Sequence, residues 1–165
     1  YIKVDIYGKC GTRICPRNCL EFLGVRYKFY LAFENADCQD YVTEKVWRNS
    51  FKFNMVPIVR GRRNNFKNIL PPYSYIHTNK FDSHEELAQY LKYLDNNDDE
   101  YNKYFEWRKT FISFNSAQFP YYCSLCRQLH MNKGQKKWYN DIWKWYSIEK
   151  QCNDYTSMIP ENIND

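Results

Sequence analysis

The chain has 165 residues and a net charge of +5, and 19% of its residues are aromatic. This length and composition suit one domain with a single hydrophobic core, and no apolar run approaches the roughly 20 residues that a membrane-spanning helix requires. The basic residues are not interleaved with aromatic ones, as a nucleic-acid platform would require, so the composition argues against nucleic-acid binding.

Strands and helices are predicted to alternate along most of the chain, which indicates an α/β fold with a parallel sheet. The run 56–59 is continuously apolar, as expected of a parallel strand that is covered on both faces. In chain order the predicted elements are a strand at 2–6, a cysteine-rich loop at 8–19, a helix at 20–24, a strand at 28–33, a helix at 41–51, a strand at 56–59, a loop, a strand at 73–77 and helices at 84–94 and 100–110.

The helix at 84–94 has the clearest pattern of the chain. Leu87, Leu91 and Leu94 form one apolar stripe, and Asp82 and Ser83 supply the capping chemistry before it. Beyond residue 110 the pattern loosens. There the aromatic run predicts a final amphipathic helix that packs on an apolar surface and contains Trp138, Ile142, Trp143, Trp145 and Tyr146.

Residues 33–45, which we call the motif turn, carry the strongest functional signal. They follow the strand at 28–33 and lead into the predicted helix at 41–51. A helix N-terminus offers unpaired N–H groups and a partial positive charge, and Glu44 and Lys45 lie beside it. The turn therefore predicts a ligand that contains phosphate, although composition alone would favour a surface charge pair.

A second basic feature follows the strand at 56–59. Arg60, Arg62 and Arg63 lie at the carboxyl end of that strand, where open α/β sheets bind ligands. The cluster can assist an anionic ligand, but a solvated loop is the simpler interpretation.

The motif turn reads F-E-N-x-x-C-x-D-Y-V-T-E-K and resembles the donor-binding motif of the α-1,3-fucosyltransferases. Five further segments are similar to that family's motifs and occur in family order over roughly residues 1 to 130. Each is weak alone, but the ordered set is specific. These segments are V-D-I-Y-G-K-C-G at 4–11, V-P-I-V-R-G at 56–61, P-P-Y-S-Y-I-H at 71–77, L-A-Q-Y-L at 87–91 and Y-F-E-W-R-K at 104–109.

The resemblance implies the Rossmann-like, C-terminal half of a GT-B glycosyltransferase, the portion that binds GDP-fucose. It divides the chain into a donor-binding domain at 1–110, a helical extension with Cys and Trp at 111–150 and a polar tail at 151–165. Because Tyr1 opens within a strand-like run, we expect a longer protein whose N-terminal acceptor domain precedes it. The resemblance also implies a Golgi membrane protein, anchored by a single N-terminal span, with this portion on the lumenal side.

The implied activity is inverting transfer of L-fucose from GDP-fucose to an N-acetylglucosamine of a glycoprotein glycan. Lys45 would neutralise charge on the leaving diphosphate, and Glu44 would contact donor sugar hydroxyls or steady positive charge at the fucose. The general base would come from the absent half, so this portion alone is expected to be inactive. The full set of implied donor-binding residues is Glu34, Asn35, Tyr41, Thr43, Glu44 and Lys45.

One residue of the motif turn departs from the family's pattern. Ala36 replaces the family's usual Ser after F-E-N, which removes a hydroxyl from the phosphate side. No Asp-x-Asp metal motif follows a predicted strand, so neither a metal site nor a bound divalent cofactor is expected, and GDP-fucose is expected as a substrate.

Seven cysteines favour an oxidising compartment. A zinc site is the alternative, because Cys123, Cys126 and His130 have ligand-like spacing and Cys152 can supply a fourth ligand. The resemblance favours disulfides, because related enzymes use such a C-x-x-C in bridges. The pairing and the role of Cys152 stay open; the disulfide candidates are Cys10, Cys15, Cys19, Cys38, Cys123 and Cys126.

Two other functions remain as alternatives. One is a non-catalytic carbohydrate-binding or scaffold module with the same fold, which a carboxylate-bearing acceptor domain upstream would argue against. The other is a zinc-dependent nucleic-acid-binding domain, which a metal analysis would test. The cysteine-rich loop resembles the invertebrate enzymes that modify the N-glycan core more than the Lewis-type enzymes.

Overall fold

A parallel sheet forms the centre of the protein, as the sequence predicted, and it has three strands among the described residues. The computed structural model describes residues 1–61, 63–112, 121–145 and 152. The strands lie in the order β1 (Phe29–Leu31), β2 (Val56–Val59) and β3 (Ile76–His77), with β2 in the middle. Leu31 lies opposite Ile58, and Ile58 lies opposite Ile76, so the carboxyl ends of the strands meet at one edge.

Pro57 lies inside the central strand, where proline is normally excluded because it lacks an N–H donor. Here the bonds to β1 use the residues on either side of it: Val56 N donates to Lys28 O, and Ala32 N donates to Ile58 O, each at 2.8 Å. Pro57 therefore turns its nitrogen toward β3, where pairing begins only at Ile58. The missing donor costs the sheet no ladder bond.

Six α-helices are present among the described residues. They are α1 (Cys19–Gly24), α2 (Arg63–Ile69), α3 (His84–Asp95), α4 (Asp98–Asn102), α5 (Tyr121–Met131) and α6 (Ile142–Trp145). A π-helical segment occupies Lys45–Ser50, and 3₁₀ segments occupy Phe51–Phe53, Thr78–Lys80 and Lys103–Lys109.

The prediction for α3 is confirmed. Ser83 Oγ accepts a hydrogen bond from Glu86 N at 3.1 Å, and the Glu86 carboxylate in turn accepts one from Asp82 N at 2.7 Å. Two backbone N–H groups at the start of the helix are thereby satisfied. Leu91 and Leu94 are buried along the expected stripe.

Each face of the sheet carries its own apolar cluster, as parallel sheets require. On one face Val59 packs with residues of the π-helical segment, α2 and the last 3₁₀ segment, namely Val46, Phe66 and Trp107. On the other face Ile58 belongs to a cluster that also contains Val56, Ile76, Leu91, Leu94 and Tyr101.

The N-terminal segment is attached by side chains rather than by a strand. Residues 1–6 have no regular structure, so the strand predicted at 2–6 is wrong. Tyr27 donates a hydrogen bond to Asp5 at 2.7 Å and shares one with Tyr7 at 2.9 Å, and Arg13 forms an ion pair with Asp5 at 3.1 Å. The pattern of 2–6 looked like a strand because apolar residues alternate there, yet no strand in the described part of the chain pairs with it.

Other boundaries also differ from expectation, and the strands predicted at 28–33 and 73–77 are shorter, at Phe29–Leu31 and Ile76–His77. The loop predicted after Val59 contains α2; Phe66 within it and Leu70 directly after it are buried four residues apart, and the basic residues before them obscured this period. The helix predicted at 41–51 becomes regular only at Lys45 and is π-helical. The helix predicted at 100–110 divides into α4 and the 3₁₀ segment Lys103–Lys109.

The proposed extension at 111–150 is largely exposed where it is described. Tyr122, Leu125 and Leu129 on α5 are exposed, as are Trp143 and Trp145 on α6. The final helix covers only four of the residues that the aromatic run spans; Tyr146 and the tail apart from Cys152 lie outside the described residues. Among the described helices none is both long and apolar enough to span a membrane. The domain division itself stays a prediction.

Candidate functional site

The motif turn lies at the carboxyl edge of the sheet, directly after β1. The hydrogen bond from Ala32 N to Ile58 O brings this turn beside the end of β2. Loops at the carboxyl ends of parallel strands form the usual ligand crevice of open α/β sheets. The predicted position of the site is therefore the position at which this architecture binds ligands.

A buried carboxylate organises the turn. Glu34 is only 8% exposed, and its two oxygens accept hydrogen bonds from Thr43 N at 2.7 Å and from Thr43 Oγ1 at 2.8 and 3.0 Å. Lys45 Nζ donates to Glu34 Oε2 at 3.0 Å. The carboxylate thus joins the start of the turn to its end, across nine to eleven residues of sequence.

Lys45 is held in place but still reaches solvent, since its side chain is 22% exposed. Its Nζ also lies 3.4 Å from Thr43 Oγ1 and 3.9 Å from Glu44 Oε1. Partial burial lowers the pKa of Lys45, but the hydrogen bond and charge of Glu34, helped by Glu44 and Tyr41, outweigh burial and raise it above the ordinary 10.5. The ammonium group is therefore charged at physiological pH and can meet an anion.

Glu44 stands next to Lys45 with its side chain about half exposed. The pKa of its carboxyl is lowered, first by a hydrogen bond from its own backbone N–H and then by Thr43, Lys45 and Arg48, although desolvation opposes this. An ionised, accessible carboxylate beside the ammonium group can accept hydrogen bonds from hydroxyl groups of a bound sugar.

The π-helical segment fixes the backbone that carries Lys45. Ser50 is fully buried, and its hydroxyl donates to Lys45 O at 2.8 Å. Val46 is also fully buried, on the β2 side of the segment. Segments with this wider hydrogen-bond spacing are rare and are often found at functional sites.

The two remaining sequence-predicted residues border the cluster. Asn35 follows Glu34 and is exposed at the mouth of the turn. Tyr41 is half-buried, and its N–H donates to Cys38 O at 3.3 Å. All six predicted donor-binding residues therefore lie on one continuous turn, with Glu34, Thr43 and Lys45 in direct contact.

Sequence reasoning missed the contact between the turn and the end of β2. Gly61 has φ +132°, and a Cβ atom there would lie 2.6 Å from Asp37 Oδ1, so any side chain would be strained and would require the Asp37 carboxylate to move. Asp37 is 9% exposed. The available signal was a glycine directly after a buried strand, which often marks a close backbone approach.

Of the basic cluster, Arg60 is the member that the structure places beside the turn. Its guanidinium lies 5.1 Å from the centroid of the Phe33 ring, one residue before Glu34. Arg62 and the Arg63 side chain lie outside the described part of the structure. The interpretation of the cluster as an aid to an anionic ligand stays a prediction.

The cysteines form two disulfides among the described residues. One joins Cys15 to Cys19, and the other joins Cys38 of the motif turn to Cys152, which the sequence analysis had left unassigned. The other three candidates have free, exposed thiols in this structure, so their participation in bridges stays a prediction; they are Cys10, Cys123 and Cys126. In the described residues no group of three or more His, Cys, Asp or Glu side chains could hold a metal ion.

Two cavities lie at the other edge of the sheet, toward the amino ends of the strands. One of about 570 Å³ is lined by Asn54, which precedes β2, together with Tyr101 and Arg108. Another of about 440 Å³ is lined by Pro72 and Tyr73, which precede β3. Their position separates them from the motif turn, so the turn remains the candidate site.

Comparisons with known proteins agree with these observations. The family model described as "Glycosyltransferase family 10 (fucosyltransferase) C-term" matches residues 1–145. "Glycoprotein 3-alpha-L-fucosyltransferase A" of Drosophila melanogaster is 44% identical over 159 residues, which cover 92% of this chain and 31% of that protein. "Alpha-(1,3)-fucosyltransferase C" of the same organism is 43% identical, covering 88% of this chain and 34% of its own length. The chain thus spans about a third of the length of these curated relatives.

A solved structure described as "Crystal Structure of alpha1,3-Fucosyltransferase with GDP-fucose" resembles this chain with a TM-score of 0.56. The sequences are 22% identical, and the likeness covers 81% of this chain and 39% of the other. At that identity the likeness concerns the fold. It confirms the predicted α/β architecture, that of the C-terminal half of a GT-B glycosyltransferase.

Proposed function

The chain belongs to glycosyltransferase family 10, the fucosyltransferases, and from that membership we propose that it is the donor-binding portion of an α-1,3-fucosyltransferase. The proposed reaction moves L-fucose from GDP-fucose to an N-acetylglucosamine of a glycoprotein glycan, with inversion at the anomeric carbon. The observation that carries this proposal is the Glu34–Thr43–Lys45 cluster at the carboxyl edge of the sheet.

Lys45 is the proposed contact for the diphosphate of the donor. When the bond between fucose and GDP breaks, negative charge develops on the leaving phosphate, and a fixed ammonium group stabilises it. Because Glu34 already orients Lys45 at 3.0 Å, little reorganisation is needed during the reaction. We assign Glu34 a positioning role, since its oxygens are turned to Thr43 and Lys45 and it is buried.

Glu44, Asn35 and Tyr41 are the proposed contacts for the sugar and the outer phosphate. Glu44 is ionised and lies 3.9 Å from Lys45, the charge of Lys45 is influenced by Tyr41, and Asn35 is exposed on the same turn. Inversion requires a base that removes the proton of the acceptor hydroxyl as its oxygen attacks the anomeric carbon. We place that base in the part of the enzyme that precedes the donor-binding portion.

The proposed location is the lumenal side of the Golgi membrane, reached by an N-terminal anchor. The disulfides Cys15–Cys19 and Cys38–Cys152 support an oxidising compartment, because cytosolic proteins are kept reduced.

The activity test uses the full-length protein with GDP-fucose and a glycan that ends in N-acetylglucosamine. Lys45→Ala should lower the rate of fucose transfer by about a hundredfold, the effect of losing one charge-assisted contact to a leaving group. Lys67→Ala is the matched control, because Lys67 is exposed on α2 and should change the rate little. A Lys45→Ala rate within about threefold of wild type would remove Lys45 from the site. GDP binding without any transfer by the wild type would favour a non-catalytic module.

A further inference from the structure

We propose that the disulfide between Cys38 and Cys152 is a positioning device for donor binding: it holds the motif turn in the conformation that receives GDP-fucose. This inference rests on the proposed function and extends it to two residues that make no proposed contact with the donor. It gives the C-terminal end of the chain a role in the site.

The position of Cys38 within the turn is the first observation. Cys38 lies between Glu34 and Thr43, the two ends that the buried carboxylate joins. Its carbonyl accepts the hydrogen bond from Tyr41 N at 3.3 Å, and its neighbour Asp37 is buried against Gly61. A constraint on Cys38 therefore acts on the middle of the turn, between its contact with β2 and its contact with Lys45.

The way in which Cys152 meets the turn is the second observation. The two cysteines are 114 residues apart, and besides the disulfide they form an isolated antiparallel β-bridge. Cys152 is half-buried there. The backbone of Cys152 thus meets the backbone of Cys38, so the covalent bond fixes a backbone contact as well as two side chains.

The conformation of the turn is the third observation, because it contains features that are unfavourable unless the surrounding structure holds them. Asp40 has φ +58°, in the left-handed region that residues other than glycine rarely adopt. Glu34 and Asp37 are both carboxylates removed from water. Such arrangements persist where the surrounding structure holds them, and a site held ready before binding loses less free energy to ordering when the ligand arrives.

The second disulfide supplies a matched control. Cys15–Cys19 closes a short loop before α1. A Cβ atom on Gly24, at the end of α1, would lie 2.5 Å from Phe53 O, so this helix packs where the chain enters β2. Cys15–Cys19 is therefore linked to the amino edge of the sheet, whereas Cys38–Cys152 lies at the carboxyl edge.

The test compares full-length wild type with the double variants Cys38→Ala/Cys152→Ala and Cys15→Ala/Cys19→Ala, each well below its own unfolding temperature. Calorimetric titration with GDP measures affinity in the folded protein, and kinetics separate KM for GDP-fucose from KM for the acceptor. The Cys38/Cys152 variant should bind GDP roughly tenfold more weakly and show a similar rise in KM for GDP-fucose only. The Cys15/Cys19 variant should stay within about twofold of wild type for GDP.

Equal GDP affinity in the wild type and a folded Cys38/Cys152 variant would overturn the inference, even if the variant is less stable. If that variant does not fold, the single variant Cys152→Ala, which breaks the same bond and leaves the residues of the motif turn unchanged, provides the same comparison, and its GDP affinity should fall roughly tenfold. An unchanged affinity in folded Cys152→Ala would contradict the inference equally. Wild type that does not bind GDP would instead contradict the proposed function.

Discussion

Glu34 is the residue on which the geometry of the site depends. Its carboxylate is buried and accepts from a backbone N–H, a hydroxyl and an ammonium group at 2.7 to 3.0 Å. The sequence placed Glu34 among donor contacts because it belongs to the motif, but could not show which motif residues face the ligand and which face each other. That distinction depends on how the turn folds back on itself, with Thr43 returning to within hydrogen-bonding distance of Glu34.

At this scale we predict that Glu34→Gln impairs the enzyme through Lys45. The amide keeps an oxygen for Thr43 N–H but loses the charge that orients the ammonium group. We expect kcat/KM for GDP-fucose to fall about tenfold or more, and the free energy of unfolding to fall by about 2–3 kcal/mol, because a largely buried charge pair is broken. Transfer assays and urea denaturation measure the two effects.

The control is another Glu–Lys pair with a different exposure. Glu100 lies 2.7 Å from Lys103 on the surface, where ion pairs contribute about 0–1 kcal/mol. Glu100→Gln should therefore leave both quantities nearly unchanged. Similar losses in the Glu34→Gln and Glu100→Gln variants would show that the burial of Glu34 has no special role.

Among the elements, the junction of β2 with the motif turn matters most for the site. The apolar run of β2 predicted a covered parallel strand, and the structure confirms it at Val56–Val59. Local periodicity could not predict the π-helical segment, because its start depends on the hydrogen bond from Ser50 to Lys45 O and on packing against Val59. The strand predicted at 2–6 does not form, because an alternating pattern alone is not enough without a strand to pair with, and none of the described strands pairs with this segment.

We predict that Gly61→Ala disrupts this junction. Gly61 has φ +132° and its added Cβ would meet Asp37 at 2.6 Å, so both strain and a clash arise. Gly8→Ala is a matched control, because Gly8 has φ +90° but nothing within 4 Å of an added Cβ. Gly61→Ala should lower the free energy of unfolding by about 3 kcal/mol and Gly8→Ala by about 1 kcal/mol.

Urea denaturation gives both values, and GDP titration of the folded variants tests the site. GDP affinity should fall in Gly61→Ala and be retained in Gly8→Ala. Losses of the same size in the two glycine variants would mean that the contact with Asp37 contributes nothing beyond backbone strain.

At the scale of the whole molecule, the chain combines the proposed donor site at the carboxyl edge of the sheet with a sequence that its relatives carry within a protein about three times as long. The ordered motifs predicted the family and the α/β fold, because they fix the order of strands, turn and helices. They could not predict the partner of Cys38, because a pairing between residues 114 positions apart leaves no local pattern in the sequence.

The central claim is that Lys45 binds the diphosphate of the donor, and a calorimetric cycle of two ligands and two proteins tests it most directly. Wild type and Lys45→Ala, both full-length, are titrated with GDP and with guanosine, and Lys67→Ala serves as the control. Loss of a charge-assisted contact predicts about thirtyfold weaker GDP binding by Lys45→Ala, with guanosine binding changed by less than about twofold. An equal loss for both ligands, or none for GDP, would contradict the claim.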